Sequence, residues 1–106
     1  VAPDQFVPAP DNSIPFANTT LHNNYPNPFN PTTTFSFSIK EQNIESASIK
    51  IYNIRGKLVD QIKLSNDIIN RGSVVWNADN KATGVYLYKL EVNNKNYGVK
   101  KAILMK

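Results

Sequence analysis

Residues 84–92 read Gly-Val-Tyr-Leu-Tyr-Lys-Leu-Glu-Val and form the most regular pattern in the chain. Two sets of side chains alternate along this stretch, namely Val85, Leu87 and Lys89 against Tyr86, Tyr88, Leu90 and Val92. A period of two residues is typical of a β-strand. Because asparagine tolerates left-handed backbone geometry, Asn93-Asn94 predicts a tight turn into a last strand from about Lys95 to Leu104. The sequence therefore predicts an antiparallel hairpin here.

Four earlier segments also have the composition of strands. They are predicted at about Thr33–Ile39, Ala47–Tyr52, Lys57–Leu64 and Ser73–Trp76. A turn is predicted at residues 53–56, where Gly56 supplies a positive φ. The connections at 40–46, 65–72 and 77–83 are predicted to be loops, with Ile68 and Ile69 directed inward. No segment shows a sustained helical period, so the chain is predicted to be all-β, with roughly six or seven short strands that favour a sandwich.

A proline-rich stretch precedes these strands, and its residues are Asn24, Tyr25, Pro26, Asn27, Pro28, Phe29, Asn30 and Pro31. Proline fixes φ and removes a backbone donor, so this proline stretch is predicted to be a stiff bend, neither helix nor central strand. Residues 28–31 also fit the P-x-x-P pattern that aromatic grooves bind, although a rigid edge segment is the favoured interpretation. Residues 1–20 combine four further prolines with polar side chains and are predicted to be a proline-rich linker.

Composition limits the classes of function. A chain of 106 residues with 41% hydrophobic residues is one domain at most. It contains no cysteine, which excludes disulfides, thiolate metal sites and cysteine nucleophiles. The formal charge of +4 is mild and does not predict nucleic-acid binding. No apolar run has the length of a membrane span. Because the sequence begins with Val1, we expect it to be a piece of a longer, exported precursor.

Candidates for chemistry are few. His22 is the only histidine, and its polar surroundings predict an exposed linker side chain, not a catalytic base. The carboxylates are scattered singly, and we interpret them as solvated surface: Glu41, Glu45, Asp60, Asp67, Asp79 and Glu91. The Asn77, Asp79 and Asn80 loop resembles a calcium site only loosely, and turn formation explains these residues better. We therefore predict no enzymatic activity, no metal and no cofactor.

The aromatic side chains allow a second hypothesis. Trp76 is the only tryptophan and is predicted to anchor the core. A sugar-binding platform is the alternative use of the strand aromatics, which are Tyr52, Trp76, Tyr86, Tyr88 and Tyr97. Strand aromatics are more often core residues or cross-strand partners, so carbohydrate binding is the alternative and not the first hypothesis.

Five blocks of the sequence occur together and in a fixed order. They are Asn24–Thr33, Ile49–Val59, Gly72 with Trp76, Gly84–Leu90 and Lys100–Lys106. In this order they resemble the type A C-terminal sorting domain of the type IX secretion system, and the resemblance covers about Leu21–Lys106. The signature positions include the proline stretch and also Gly56, Trp76, Gly84 and Tyr86. The connection before Gly84 departs from the family, because it is short and contains no glycine.

The resemblance implies an immunoglobulin-like antiparallel β-sandwich of about seven short strands at residues 21–106, following the linker. It implies a non-catalytic domain that directs an N-terminal cargo domain through the type IX translocon, with its associated outer-membrane proteins, to the cell surface or the medium. In many members a sortase-like peptidase then removes the domain, and the cargo is released or attached to the surface. Translocon recognition maps onto what we call the final block: Lys100, Lys101, Ala102, Ile103, Leu104, Met105 and Lys106.

Physical chemistry gives the final block a mode of recognition. A strand at a sheet edge has free N–H and C=O groups that a partner can pair by strand addition. The lysines of the final block are expected to add charge selectivity, and the linker offers an accessible site for cleavage. We expect Tyr25 and Phe29 to pin the proline stretch onto the sandwich. A passive immunoglobulin-like spacer is the remaining alternative function.

Overall fold

The structure, a computed structural model, describes residues 18–106, which form seven β-strands and one short helix. In chain order the elements are β1 (Thr20–Leu21), β2 (Thr32–Ser38), β3 (Ala47–Asn53), β4 (Leu58–Lys63), α1 (Asn66–Arg71), β5 (Ser73–Asn77), β6 (Gly84–Val92) and β7 (Lys95–Leu104). The prediction of an all-β, immunoglobulin-like sandwich of about seven short strands is confirmed. The predicted linker lies outside the described residues, apart from positions 18–20, of which Thr20 belongs to β1 and pairs with Ser38.

Two antiparallel sheets make up the sandwich. One has three strands in the order β1-β2-β5, and the other has four in the order β4-β3-β6-β7. In the four-stranded sheet, Ile49 of β3 lies opposite Leu90 of β6, and Ile51 lies opposite Tyr88. All four side chains are fully buried. Strand β7 is an edge strand of this sheet, as the sequence predicts for the last strand.

The core is made by the alternating residues that the period of two predicts. Phe35 and Phe37 of β2 are buried, while Ser36 between them is partly exposed. The core also takes residues from both sheets and from the proline stretch, including Leu21, Phe29, Ile49, Ile51, Leu64, Trp76, Ala78, Tyr86, Tyr88, Leu90, Val92, Ala102 and Leu104. Burying one large apolar side chain stabilises a fold by about 1.5–3 kcal/mol, so the core supplies most of the favourable free energy.

The prediction of a plain loop at residues 65–72 is wrong, because α1 lies there. Ser65 caps the helix by accepting a hydrogen bond from the Ile68 N–H at 3.3 Å, and Gly72 ends it with a φ of 79°. At six residues, α1 is too short to show a helical period in the sequence. Ile68 and Ile69 pack against the core, as predicted. Within residues 18–106, no helix has the length and hydropathy needed to cross a membrane.

The two predicted tight turns are confirmed. Gly56 has a φ of 84°, and its N–H donates to the Asn53 carbonyl at 3.0 Å. Asn93 and Asn94 have φ values of 51° and 66° and connect β6 directly to β7. Because both asparagines adopt left-handed geometry, the turn matches the right-handed twist of the hairpin.

Candidate recognition site

The final block includes the last five residues of β7 and the two residues that follow it. Its side chains alternate between the core and the outer surface of the sheet. Ala102 and Leu104 are buried in the core, whereas Lys101, Met105 and Lys106 are exposed. The folded domain therefore presents only some of the predicted recognition residues to a partner, and Lys100 and Ile103 are partly exposed.

The proline stretch runs along the open edge of β7. The Asn27 side-chain amide donates to the Lys101 carbonyl at 3.1 Å, and the Ile103 N–H donates to the Asn27 side-chain oxygen at 2.9 Å. The Phe29 N–H donates to the Ile103 carbonyl at 2.9 Å, and the Met105 N–H donates to the Phe29 carbonyl at 3.0 Å. We call these four hydrogen bonds the edge clamp. In it, the Asn27 carboxamide takes the place of a peptide group of a neighbouring strand.

The edge clamp corrects the expectation of a free edge along the final block. Both backbone groups of Ile103 are already paired, so a partner cannot add a strand there while the clamp is closed. Backbone groups that point to the same side of a strand recur every second residue. Lys101 and Val99 therefore point their backbone groups the same way as Ile103. Within residues 18–106, no hydrogen bond pairs with the Lys101 N–H or with Val99 on that side. This shorter segment is therefore unpaired, and β1 lies beside its lower end, where Leu21 adjoins Gly98.

Asn24 fixes the beginning of the proline stretch. Its buried side chain donates to the Thr33 hydroxyl at 2.9 Å, and the Thr33 hydroxyl donates to the Pro26 carbonyl at 2.8 Å. The Tyr88 hydroxyl donates to the His22 carbonyl at 2.9 Å, just before the stretch. Burial raises the pKa of this tyrosine. These buried hydrogen bonds give the stretch one defined path from β1 to the edge of β7.

Only one of the two rings of the stretch pins it to the sandwich. Phe29 is 2% exposed, and its ring centroid lies 5.6 Å from that of Trp76. Tyr25 is 81% exposed, so the expectation that its ring is a second anchor is wrong. The main chain of Tyr25 still pairs with Thr34 of β2 through two hydrogen bonds of 2.9 and 3.1 Å. Its backbone position is therefore fixed while its side chain faces solvent.

A cluster of aromatic rings surrounds Trp76. Besides Phe29, its ring contacts Phe35 at 5.9 Å and Tyr86 at 5.6 Å between centroids. The indole N–H donates to the Asp60 carboxylate at 2.9 Å, which joins β5 of one sheet to β4 of the other. The interpretation of Asp60 as a purely solvated surface residue is therefore wrong. Trp76 anchors the core, as predicted.

The sugar-binding platform is contradicted for three of its five aromatic residues. Trp76, Tyr86 and Tyr88 are buried and hydrogen-bonded inside the sandwich, so they cannot stack on a sugar ring. Only Tyr52 and Tyr97 are partly exposed, and the Tyr97 hydroxyl donates to Glu41 at 2.7 Å.

The other candidate residues lie apart from one another. His22 is exposed, as predicted. The Asn77 side chain accepts a hydrogen bond from the Asp79 N–H at 2.9 Å, which is the turn-forming role expected of it. Gly84 begins β6, where it lies opposite Leu104. Among residues 18–106, no three His, Cys, Asp or Glu side chains come close enough together to hold a metal ion.

Asn27 is a residue whose role the sequence pattern missed. Its partners Lys101 and Ile103 are 74 and 76 residues further along the chain. Local patterns such as period, turn composition and proline spacing contain no information about a contact at that separation. A covarying pair in an alignment is the signal that would reveal it.

Asn27→Ala is expected to speed amide hydrogen exchange of Ile103 about tenfold, because the N–H of Ile103 loses the Asn27 side-chain oxygen that accepts its hydrogen bond. Exchange measured by NMR at single residues checks this. Asn30→Ala is the control, since Asn30 is an exposed asparagine of the same stretch. Unchanged exchange at Ile103 in Asn27→Ala would show that the side chain does not hold this edge.

Comparisons with known proteins point to one family. A family model described as a secretion system C-terminal sorting domain matches residues 23–105. A crystal structure of dimeric latent PorU from Porphyromonas gingivalis aligns with a TM-score of 0.68 and 21% identity, covering 82% of this chain and 9% of that chain. A crystal structure of CopC from Methylosinus trichosporium OB3b aligns with a TM-score of 0.48 and 20% identity, covering 82% of this chain and 91% of that one. A search among curated proteins found no match.

Proposed function

Because this chain belongs to the secretion system C-terminal sorting domain family, we propose that it directs a cargo protein through the type IX secretion system across the outer membrane. The match of the family model to residues 23–105 carries this proposal, since it spans nearly all of the sandwich. The likeness to latent PorU supports the fold, and this chain spans only 9% of that protein's length. Membership in the family implies a secreted or surface location for the exported product.

The final block is the part of the domain that the translocon recognises in this proposal. Its exposed side chains Lys101 and Met105 are available to a partner in the folded state, whereas the exposed Lys106 ammonium donates to the Asp79 carbonyl. The edge clamp restricts strand addition to the segment around Val99 and Lys101. Recognition of the folded domain therefore depends mainly on side chains and on this short open segment.

The remaining parts of the proposal concern the whole exported protein. The domain acts without catalysis and without a cofactor, residues 1–20 connect it to a cargo domain, and residues 21–106 form the sorting unit. A sortase-like peptidase cleaves in the linker, and the cargo is then released or attached to the surface. The linker composition supports cleavage there, because proteases act on exposed, extended segments.

Deleting Lys101–Lys106 from a reporter fused to the full chain is expected to reduce export about tenfold or more in a host with a type IX secretion system. The reporter needs its own signal for reaching the periplasm, and surface or medium fractions are compared with the periplasmic fraction. The deletion removes buried Leu104 and the partners of the edge clamp, so it also perturbs folding.

A second variant separates recognition from folding. Lys101→Glu combined with Lys106→Glu changes exposed side chains and removes one exposed hydrogen bond, which the Lys106 ammonium donates to the Asp79 carbonyl. We expect it to reduce export while the melting temperature of the purified chain falls by no more than about 2–4 °C. If the deletion and the double variant both export like the intact chain, the domain is a passive spacer and the sorting function is wrong.

A further inference from the structure

The outer surface of the four-stranded sheet is not covered by any other part of residues 18–106. A row of side chains crosses all four strands on this surface, because Leu58 lies opposite Tyr52, Tyr52 opposite Leu87, and Leu87 opposite Lys101. Leu58 is 44% exposed and Leu87 is 36% exposed. This row is therefore an apolar strip on a water-facing sheet, and it ends at a residue of the final block.

Other exposed apolar side chains are concentrated around this row. Val85 and Ile103 form the next cross-strand pair on the same surface. Within residues 18–106, seven large hydrophobic side chains are exposed, and five of them belong to this sheet or its adjoining ends: Ile54, Leu58, Leu87, Val99 and Met105. Scattered single apolar residues are ordinary on a protein surface, but a concentration on one sheet indicates an interaction surface.

Lysines lie among these apolar residues. Glu91 is the carboxylate of this surface, and one of its oxygens lies 3.0 Å from the Lys50 ammonium while the other lies 3.0 Å from that of Lys89. Hydrogen bonds from Lys50 and Lys89 lower the pKa of Glu91, and the bond to Glu91 raises the pKa of Lys89. Lys89 also lies over the Tyr52 ring at 5.3 Å. One carboxylate thus faces two lysines, and Lys101 adds a further positive charge.

We propose that this surface, which we call the lysine-flanked face, binds a protein of the secretion machinery that presents apolar side chains surrounded by carboxylates. The lysine-flanked face consists of Tyr52, Leu58, Val85, Leu87 and Ile103 with Lys50, Lys89 and Lys101. The inference rests on the proposed sorting function. Lys101 and Ile103 belong both to this face and to the final block, so the two form one continuous surface.

Charge complementarity favours an acidic protein partner. Two copies of this chain would bring like charges together on the same face, which opposes a symmetric dimer. A protein partner with carboxylates at the rim pairs with Lys101 and with the single net positive charge of the Lys50, Lys89 and Glu91 cluster, while its apolar centre covers Leu87 and Leu58. The binding mode differs from strand addition, because it uses the flat face of the sheet and leaves the edge clamp intact.

Leu87→Glu tests the proposal in the export assay with the full chain fused to a reporter. We expect about a tenfold loss of export, because the glutamate is buried against the carboxylates of the partner. Leu87→Lys is expected to lose several times less, since its charge complements the same partner. Val75→Glu is the matched control: Val75 is 61% exposed on β5 of the other sheet, and export should stay within about twofold of the intact chain.

Two further points need separate measurements. One is whether each variant folds, and the other is whether the face binds a second copy of the chain or a membrane instead of an acidic protein. Circular dichroism of each purified chain checks the melting temperature, and Leu58→Glu on edge strand β4 replaces Leu87→Glu if that variant does not fold. Sedimentation velocity and co-sedimentation with phosphatidylglycerol vesicles are expected to show a monomer without lipid binding. A dimer or a vesicle-bound form that Leu87→Glu abolishes would assign the face to a second copy or to a membrane, and would overturn the acidic partner.

The outcomes distinguish this inference from the sorting function itself. If the final-block variants lose export but folded Leu87→Glu exports normally, the lysine-flanked face has no such partner and the sorting function stands. Equal losses for Leu87→Glu and Leu87→Lys would reject the acidic character of the partner. If the final-block variants all export normally, the proposed sorting function is itself wrong, whatever the result for Leu87→Glu.

Discussion

Trp76→Ala is expected to lower the free energy of unfolding by about 4 kcal/mol, within the usual cost of replacing a buried tryptophan. Trp76 contacts three other rings, and its N–H bond to Asp60 joins the two sheets. A domain of this size typically has a total stability of about 5–15 kcal/mol, so the variant would lose a large part of it. Urea denaturation followed by circular dichroism measures the loss.

Two further variants test the reason for that loss. Trp76→Phe keeps most of the ring contacts and removes the bond to Asp60, so we expect a cost of about 1–2 kcal/mol. Val75→Ala removes an exposed neighbour in the same strand, and it should cost less than about 0.5 kcal/mol. If Val75→Ala destabilises as much as Trp76→Ala, the strand as a whole and not the aromatic cluster is responsible.

Phe29→Ala is expected to lower the free energy of unfolding by about 3 kcal/mol, whereas Tyr25→Ala should change it by less than about 0.5 kcal/mol. Both rings belong to the proline stretch, but only that of Phe29 is buried. The Phe29 variant leaves a cavity beside Trp76 and weakens the main-chain bonds to Ile103 and Met105. The same urea titration compares the two variants.

Hydrogen exchange adds a readout that distinguishes local from global effects. In Phe29→Ala, the amide of Met105 should exchange faster than it does in the intact chain, because its acceptor is the Phe29 carbonyl. Equal losses of stability for Phe29→Ala and Tyr25→Ala would mean that the two rings have the same role, in conflict with their difference in burial.

The strands were predictable because their signal is local. Along β6 every second side chain enters the core, so residues 84–92 show a period of two without reference to the rest of the fold. Gly56 and the Asn93-Asn94 pair were predictable for a similar reason, since a positive φ favours few residue types. The helix α1 was not predictable by period, because six residues do not complete two turns.

The candidate site was less accessible to sequence reasoning. Alternation divides β6 into two sets of side chains, and the burial of Tyr86 and Tyr88 depends on which set faces the other sheet. The different fates of Tyr25 and Phe29 depend on the position of Trp76, which lies about 50 residues away along the chain. The lysine-flanked face needs the register of four strands, which local patterns do not contain.

The edge clamp also has a consequence for timing during synthesis. Asn27 is made 74 residues before Lys101 and 76 residues before Ile103. At the usual ribosomal rate, that separation corresponds to roughly 4–15 s in which the two clamp partners of the Asn27 carboxamide have not yet been made. A polypeptide released before Ile103 is added can never form the clamp. The closed clamp, which includes the Met105 N–H, therefore forms only in a polypeptide that has been translated through all seven strands.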